Sequence, residues 1–366
     1  MREKAASDNR CRVRKPAHEF LCFEPAAEGG IVRKEFSMKK VIALSLSLVM
    51  LAGVMTACSS SETEETTTAA TTAETTTEAA ATEETSGEAS EPFLTYTDFY
   101  GNEVVIESEP QTIVSVSPTM TEIVYALGQG DKLVARTDYC DYPAEALNLP
   151  SIGAIDTPDI EAIVALDPDL ILASSIFTED SYNQLTELGY TVAIVIDEDT
   201  FDGMYNVVDL TADIIGASDA GDALVADLKA EADSIIATDD TDITVYYCMG
   251  FGEYGEYIAG GDTFINQIIE LAGAKNAAAD VEGWTYDLEA LIAADPDYIL
   301  IAAWGYDSFI STAPYSDLTA VKEGHVIVVD NNLFERQGPR NVEALKLVND
   351  LVNGAAEATE ETAAAA

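Results

Sequence analysis

A sixteen-residue segment occurs twice in this chain. Residues 160–175 read IEAIVALDPDLILASS and residues 288–303 read LEALIAADPDYILIAA, with eight identical positions. In each copy a helical apolar pattern ends at Asp-Pro-Asp and an apolar strand pattern follows, because proline disfavours a helix through the residue before it. The duplication predicts two equivalent α/β units, one in each half of the folded part.

Short apolar runs alternate with helical patterns on both sides of a long helical stretch. The first half contains the runs TIVSVS, KLVART, DLILASS and TVAIVI, and the second half contains ITVYYCM, YILIAAW and HVIVVD. Uniformly apolar runs between helices are typical of parallel strands covered on both faces. The sequence therefore predicts an α/β fold of two similar lobes with mainly parallel sheets. A long linking helix joins the lobes, and a ligand cleft lies between them.

The composition divides the chain into seven parts. Met38-Lys39-Lys40 leads into VIALSLSLVMLAGVMTAC, the order of a secretory signal with a lipidated cysteine; a buried apolar helix is the alternative. The stretch after Cys58 is rich in Thr, Glu and Ala and too poor in large apolar residues to form a core. The predicted parts are upstream sequence wrongly included before the true start (1–37), a lipoprotein signal peptide (38–57), a disordered acidic tether (58–92), an N-terminal α/β lobe (93–217), a linking helix (218–237), a C-terminal α/β lobe (238–354) and a disordered tail (355–366).

The charge of the chain excludes nucleic acid as a partner. The formal net charge is -48, and only eight lysines and arginines follow Cys58. Such an acidic surface is repelled by phosphates and by anionic lipid headgroups. Attachment to the extracytoplasmic face of the cell membrane would therefore depend on a lipid at Cys58.

The sequence offers no catalytic or metal-binding pattern. It has no GxSxG elbow and no Walker phosphate loop, and His325 stands alone before an apolar run. Cys140 and Cys248, one in each half, are expected to be buried free thiols. We predict a protein that is not an enzyme, with no resident metal or cofactor. An extracytoplasmic α/β enzyme and a structural or adhesive lipoprotein are the alternatives.

Three glutamates stand near predicted helix starts. Thr119 and Glu122 have the spacing of a capping box, which predicts that they begin the first helix of the N-terminal lobe. Glu161 and Glu289 begin the two repeated helices. Either the duplication preserved a packing unit, or the two lobes present equivalent carboxylates to arginines of a partner that is itself two-fold.

Six segments together resemble one protein family over residues 93–354: SPTMTEIVYALG, DYCDYP, the two repeats, GGDTFINQIIELAGAKNAAAD and FERQGPRNVEALKLV. The chain resembles the substrate-binding lipoproteins of ABC importers for iron complexes and vitamin B12, the group with a helical connection between its lobes. The resemblance implies a small-molecule metal complex as ligand and an importer permease with its ATPase as partners. It also implies that Glu161 and Glu289 dock on permease arginines, and a monomer is expected.

The ligand is predicted from aromatic residues near strand ends, which suit a large, partly apolar macrocycle. Similarity to the vitamin B12-binding members of the family implies that Tyr139, Trp284 and Arg336 contact the ligand. Those members have tryptophans at Ser174 and near Ile155, and this chain does not. Cobalamin is favoured, with a ferric siderophore or haem as alternatives. Each aromatic could instead be a core residue, and Arg336 could form a surface ion pair. The aromatic candidates are Tyr139, Tyr142, Phe251, Tyr254, Trp284, Trp304 and Phe334.

Overall fold

A computed structural model describes residues 91–238, 241–253 and 255–354. The predicted upstream segment, the signal peptide, Cys58, nearly all of the tether and the tail lie outside the described residues. Among the residues described, no helix is both long enough and apolar enough to cross a membrane.

The elements of the first half are β1 Leu94–Thr97, β2 Glu103–Ile106, β3 Ile113–Ser115, α1 Pro118–Ala126, β4 Leu133–Ala135, α2 Ile160–Leu166, β5 Leu170–Ser174, α3 Glu179–Glu187 and β6 Val192–Val195. Two consecutive helices follow, α4 Phe201–Ile215 and α5 Ser218–Ile235. The second half contains β7 Thr244–Gly250, β8 Glu256–Ile258, α6 Phe264–Leu271, β9 Lys275–Asn276, β10 Thr285–Tyr286, α7 Leu288–Ala294, β11 Tyr298–Ala302, α8 Ala303–Ser311, α9 Thr319–Glu323, β12 Val326–Val329, α10 Asn332–Glu335 and α11 Asn341–Val352.

The first lobe is built on a four-stranded parallel sheet. Its strand order is β4-β3-β5-β6, and each neighbouring pair is parallel. All residues of β3, β5 and β6 are buried, as expected for strands covered by helices on both faces. A separate antiparallel hairpin, β1 with β2, precedes the sheet.

The second lobe has a mixed sheet of six strands. Strands β7, β11 and β12 are parallel neighbours, and β9 pairs with β7 in the same sense. Strands β8 and β10 extend the other side of β7 in antiparallel order. The prediction of two lobes with mainly parallel sheets is confirmed, whereas the antiparallel extension was not predicted. Between β7 and β8 the chain turns at Gly252 and Gly255, whose φ angles of 93° and 106° favour glycine.

The repeated Asp-Pro-Asp motif aligns two strands in each lobe. Asp169 Oδ2 accepts hydrogen bonds from the backbone N–H groups of Gln111 (2.9 Å) and Thr112 (2.8 Å), and its own N–H donates to Thr112 Oγ1 (3.0 Å). Asp297 Oδ2 accepts from the N–H (2.7 Å) and the hydroxyl (2.8 Å) of Thr244, and its N–H donates back to Thr244 Oγ1 (3.0 Å).

The two motifs give the same register. Ile113 pairs with Leu170 in the first lobe, and Val245 pairs with Tyr298 in the second. In each pair, the residue after the threonine lies opposite the residue after the aspartate. The duplicated segment is therefore a helix-to-strand connection whose second aspartate fixes the central strand pair of each sheet.

One hydrophobic core extends through both lobes. It contains Ile113 and Leu170 from the first sheet and Val245 and Leu300 from the second, joined through buried residues of α4, α5, α6 and α11. Each sheet packs its other face on a smaller core of its own. Helix α4 packs on α1 and α6, and α5 packs on α4 and α11. Helix α5 lies within the range 218–237 predicted for the linking helix. Because apolar residues are continuous across the connection, a wide opening of the lobes would expose core surface.

The helices of the connection approach closely at Gly221. A Cβ atom there would lie 2.5 Å from the Cβ atom of Ala212 on α4, so a larger residue would force the two helices apart.

Replacing Asp169 with alanine should destabilise the fold by about 1 kcal/mol, a modest figure because the aspartate is exposed. The variant loses two hydrogen bonds from Gln111 and Thr112 that hold the start of β3. Urea unfolding measures the loss, and Asp227→Ala, at an exposed position of α5, is the control. Unfolding of the two variants at the same urea concentration would show that the hydrogen bonds of Asp169 do not stabilise the fold.

The stabilisation by Asp169 should depend on pH. The hydrogen bonds from the Gln111 and Thr112 backbones lower the pKa of Asp169 below its ordinary value. The stabilisation is therefore complete above the unfolded-state pKa of about 4 and is lost as the pH falls through the lower folded-state pKa. The difference between wild type and Asp169→Ala should shrink in strong acid, and a difference that is constant between pH 7 and pH 2 would contradict this assignment.

Candidate functional site

Most of the predicted contact residues lie at the carboxyl ends of parallel strands. Tyr139 and Tyr142 follow β4, Phe251 follows β7, and Trp304 follows β11 directly. Arg336 follows β12 by way of the short helix α10. In open α/β sheets, ligands bind outside this edge. The topology therefore collects these five residues at the edges where a ligand site is expected.

Three of the aromatic side chains are available to a ligand. Trp304 is 71% exposed, Tyr139 57% and Tyr142 45%. These three rings are therefore not core residues. Exposed aromatic rings grouped at such an edge are typical of a binding surface.

The other aromatic candidates that the structure describes are packed wholly or partly against the cores. Phe251 packs edge-to-face on Phe309 and Tyr315 in the core of the second lobe, with ring centroids 5.0 and 5.2 Å apart. Phe334 is buried against Tyr247. Trp284 precedes the edge strand β10, its carbonyl accepts a hydrogen bond from the Ile258 N–H, and its ring packs partly against the shared core. Tyr254 lies outside the described residues.

Arg336 joins the two halves of the chain at this site. Its Nη1 donates to Glu122 Oε1 (2.7 Å) and to Asp141 Oδ1 (2.6 Å), and its Nη2 donates to the Tyr139 carbonyl (3.0 Å). Burial lowers the pKa of Arg336, but the hydrogen bonds to Asp141 and Glu122 outweigh burial and raise it above its ordinary value. The guanidinium is thus a fixed positive charge held by carboxylates of the first lobe.

Arg340 binds the same glutamate with a forked geometry. Its Nε donates to Glu122 Oε2 and its Nη2 to Glu122 Oε1, both at 2.8 Å, and its Nη1 donates to Asp330 Oδ2 (3.2 Å). The guanidinium also lies 4.1 Å from the centre of the Tyr142 ring. A bidentate pair of this kind is stronger and more directional than a single hydrogen bond.

Glu122 is the residue that sequence reasoning placed wrongly. The N-cap of α1 is Ser117, whose hydroxyl accepts from the Met120 N–H, so the predicted capping box of Thr119 and Glu122 is incorrect. The Glu122 side chain is only 5% exposed and accepts from two arginines instead. A signal was present in the sequence, because Glu122 is the one charged residue in the otherwise buried stretch from Pro118 to Val124.

A second link lies next to the arginines. The Glu198 N–H donates to Gln337 Oε1 (2.6 Å), and Gln337 Nε2 donates to the Glu198 carbonyl. Glu198 follows β6 in the first lobe, and Gln337 follows Arg336. The segment after α10 is therefore attached to the first lobe by both charged and neutral hydrogen bonds.

A pocket of about 350 Å³ opens beside this network. Burial raises the pKa of Glu343, one of its lining residues. The pocket is lined by Glu122, Tyr125, Ala126, Tyr142, Pro143, Pro339, Arg340 and Glu343.

The two repeated glutamates are exposed near the beginnings of equivalent helices. Asp159 caps α2 by accepting from the Ala162 N–H, and Asp287 caps α7 by accepting from the N–H groups of Glu289 and Ala290. Each helix leads directly into a central parallel strand, so its first turn lies on the carboxyl-end side of the sheet. Glu161 and Glu289 are therefore exposed on the same side of their lobes as the candidate site.

The cysteines and the histidine match the sequence predictions. Cys140 and Cys248 are buried free thiols. His325 precedes β12 and stacks on Tyr298. Within the described ranges, no group of three His, Cys, Asp or Glu side chains is arranged to hold a metal ion.

Comparison with known proteins gives a consistent assignment of the fold. Residues 113–333 match the sequence profile of the periplasmic binding proteins. An uncharacterized ABC transporter substrate-binding lipoprotein of Bacillus subtilis, YvrC, is 33% identical over 263 residues, which cover 69% of this chain and 83% of the relative. A cobalamin-binding protein of Halobacterium salinarum is 30% identical over 269 residues, covering 69% and 72% of the two chains.

A solved structure shares the architecture. The periplasmic heme-binding protein RhuT of Roseiflexus sp. RS-1, in its apo form, aligns with a TM-score of 0.61 and 26% identity. The alignment covers 68% of this chain and 99% of RhuT.

Replacing Glu122 with alanine should destabilise the protein by about 3–5 kcal/mol, because it leaves two largely buried guanidiniums without their shared carboxylate. Urea unfolding measures this cost. The control is Glu109→Ala, which breaks the more exposed pair with Lys132 and should change stability little. Equal effects of the two substitutions would show that the network does not hold the halves together.

Proposed function

Because the chain belongs to the periplasmic binding protein family, we propose that it is an extracytoplasmic solute-binding lipoprotein that delivers a captured metal complex to an ABC importer. The observation that carries this proposal is the pairing of two similar lobes whose parallel strands present exposed aromatic rings at their carboxyl ends. Clefts between such lobes bind small ligands. The family consists of binding proteins, which agrees with the prediction that the chain is not an enzyme.

The favoured ligand is a corrinoid. Tyr139 and Trp304 offer large, rigid ring surfaces for a macrocycle, one from each lobe. One relative is named for cobalamin binding and one structural neighbour for heme binding. Haem and ferric siderophores are the alternatives. Arg336, Tyr142, Trp284 and Phe251 complete the proposed contact set, although the last two are partly packed in cores.

Delivery would use the paired glutamates. Glu161 and Glu289 are exposed in equivalent positions on α2 and α7, so one partner with two similar basic sites could contact both lobes at once. We place the protein on the outer face of the cell membrane, attached by a lipid at Cys58 and separated from it by the acidic tether. The partners would be the importer permease and its ATPase, and the receptor would act as a monomer.

Ligand binding is tested by tryptophan fluorescence of the mature chain carrying Cys58→Ser. Trp284 and Trp304 are its only tryptophans. Cyanocobalamin, corrected for its own absorbance, should quench the emission with saturation at one ligand per chain. Trp304→Phe should remove the part of the quenching that arises at the exposed ring of Trp304 and leave that of Trp284. Tyr139→Ala should weaken binding by about tenfold, since a ring contact contributes up to about 1.5 kcal/mol. If cyanocobalamin, haem and ferric siderophores all leave the emission unchanged, the proposed function fails.

Docking is tested by reversing both charges. Glu161→Arg with Glu289→Arg should abolish uptake of the bound complex in cells that contain the cognate importer, while binding to the purified receptor is retained. The matched control reverses two other exposed glutamates, Glu187 on α3 and Glu270 on α6. Uptake at the wild-type rate by the first double variant would refute the docking assignment.

A further inference from the structure

Positive charge is scarce in the folded part. The described lysines and arginines contact carboxylates, an aromatic ring or backbone carbonyls of the protein itself. Four lysines pair with carboxylates, and Lys229 lies over the Tyr205 ring. Arg136 donates to the backbone carbonyls of Ala146 and Thr137. Among the described lysines and arginines, Arg336 and Arg340 form the charged network of the candidate site, so recognition of an anion there would depend mainly on these two residues.

Both arginines are already occupied. Arg336 directs its two Nη atoms at Glu122, Asp141 and the Tyr139 carbonyl, and its side chain is 13% exposed. Arg340 uses all three nitrogens on Glu122 and Asp330, with one face of the guanidinium covered by Tyr142, and its side chain is 11% exposed. A carboxylate or phosphate of a ligand would therefore meet two largely buried guanidiniums whose charge is already balanced by carboxylates of the protein.

The carboxylates outnumber the arginines. Glu122, Asp141 and Asp330 are three acids against two guanidiniums. Glu343 lines the adjacent pocket, and Glu198 is held nearby by Gln337. The local excess of negative charge acts in the same direction as the charge of the whole chain, and it repels an anion approaching the cleft.

We infer that, if the cleft binds the ligand of the proposed function, it selects a metal complex without net negative charge, and that Glu122 and Asp141 set this selection by occupying Arg336 and Arg340. Specificity then rests on a repulsive element as well as on the aromatic contacts. A corrinoid or a hydroxamate complex with neutral or cationic groups fits this requirement. Haem, with its two propionates, and anionic catecholate complexes do not.

The experiment measures affinity along two series of ligands that keep the metal and its chelating groups and change the charge of a peripheral group. The first is cyanocobalamin, which has no net charge, with its monocarboxylate and dicarboxylate derivatives, made by hydrolysing peripheral amides. The second is a ferric trihydroxamate with a free amine and the same complex after succinylation of that amine. Haem is the anionic macrocycle for comparison. All are titrated against the mature chain carrying Cys58→Ser, at low and at physiological salt.

Each added carboxylate should weaken binding by roughly tenfold at low salt, and by less at physiological salt, because part of the repulsion is screened. The uncharged or cationic member of at least one series should bind with saturation. If an anionic member or haem binds as tightly as the neutral ligands, the charge selection is refuted while the receptor function stands. If no member of either series nor haem binds, the receptor function itself fails.

Two variants in the loop after β4 test whether Asp141, through its contact with Arg336, causes the charge selection. Asp141→Asn removes one charge that touches Arg336, and Asp138→Asn removes the same charge from a carboxylate hydrogen-bonded to Ser151. Asp141→Asn should raise the affinity for the monocarboxylate ligand about tenfold relative to that for the neutral ligand, and Asp138→Asn should not. Equal recovery in the two variants would mean that the general field, and not the occupied arginine, sets the selection.

Discussion

The buried carboxylate of Glu122 is the contact on which the arrangement of the candidate site depends. It lies on α1, and it accepts three hydrogen bonds from the guanidiniums of Arg336 and Arg340, which follow the last strand of the second lobe. A buried charge of this kind is costly unless both sides are satisfied. The segment after α10 therefore cannot leave the first lobe without exposing unpaired charges, and the aromatic rings of Tyr139 and Tyr142 are positioned by the same network.

The duplicated segment supplies the second constraint. Asp169 and Asp297 fix the same strand register in the two lobes, and the helices before them leave Glu161 and Glu289 in equivalent exposed positions. The repeat thus has a structural explanation that is complete without any partner. The packing interpretation and the docking interpretation are compatible, because the aspartates hold the strands and the glutamates remain free for a partner.

The sequence was sufficient for the parts of the fold that depend on local pattern. The Asp-Pro-Asp repeats and the apolar strands correctly predicted the mainly parallel sheets of the two lobes, and the α5 helix lies within the range predicted for the linking helix. The sequence was insufficient where the structure depends on contacts between residues far apart in the chain. Strands β8 and β10 are short and lie in a glycine-rich region, so no alternation marks them. Glu122 has the spacing of a helix cap, and only the approach of Arg336, 214 residues later, shows that it is a buried ion-pair partner. Phe251 and Trp304 both follow apolar strands, yet one is packed in a core and the other is exposed.

The central claim is that a metal complex without net negative charge binds at the carboxyl ends of both sheets while Arg336 and Arg340 stay bonded to carboxylates of the protein. A crystal structure of the mature chain with the tightest member of the two ligand series tests this most directly. We expect the ligand to contact Tyr139 and Trp304 with the bond between Arg336 Nη1 and Glu122 Oε1 still close to 2.7 Å. A ligand bound away from these strand ends, or an Arg336 guanidinium turned from Glu122 toward the ligand, would contradict the account.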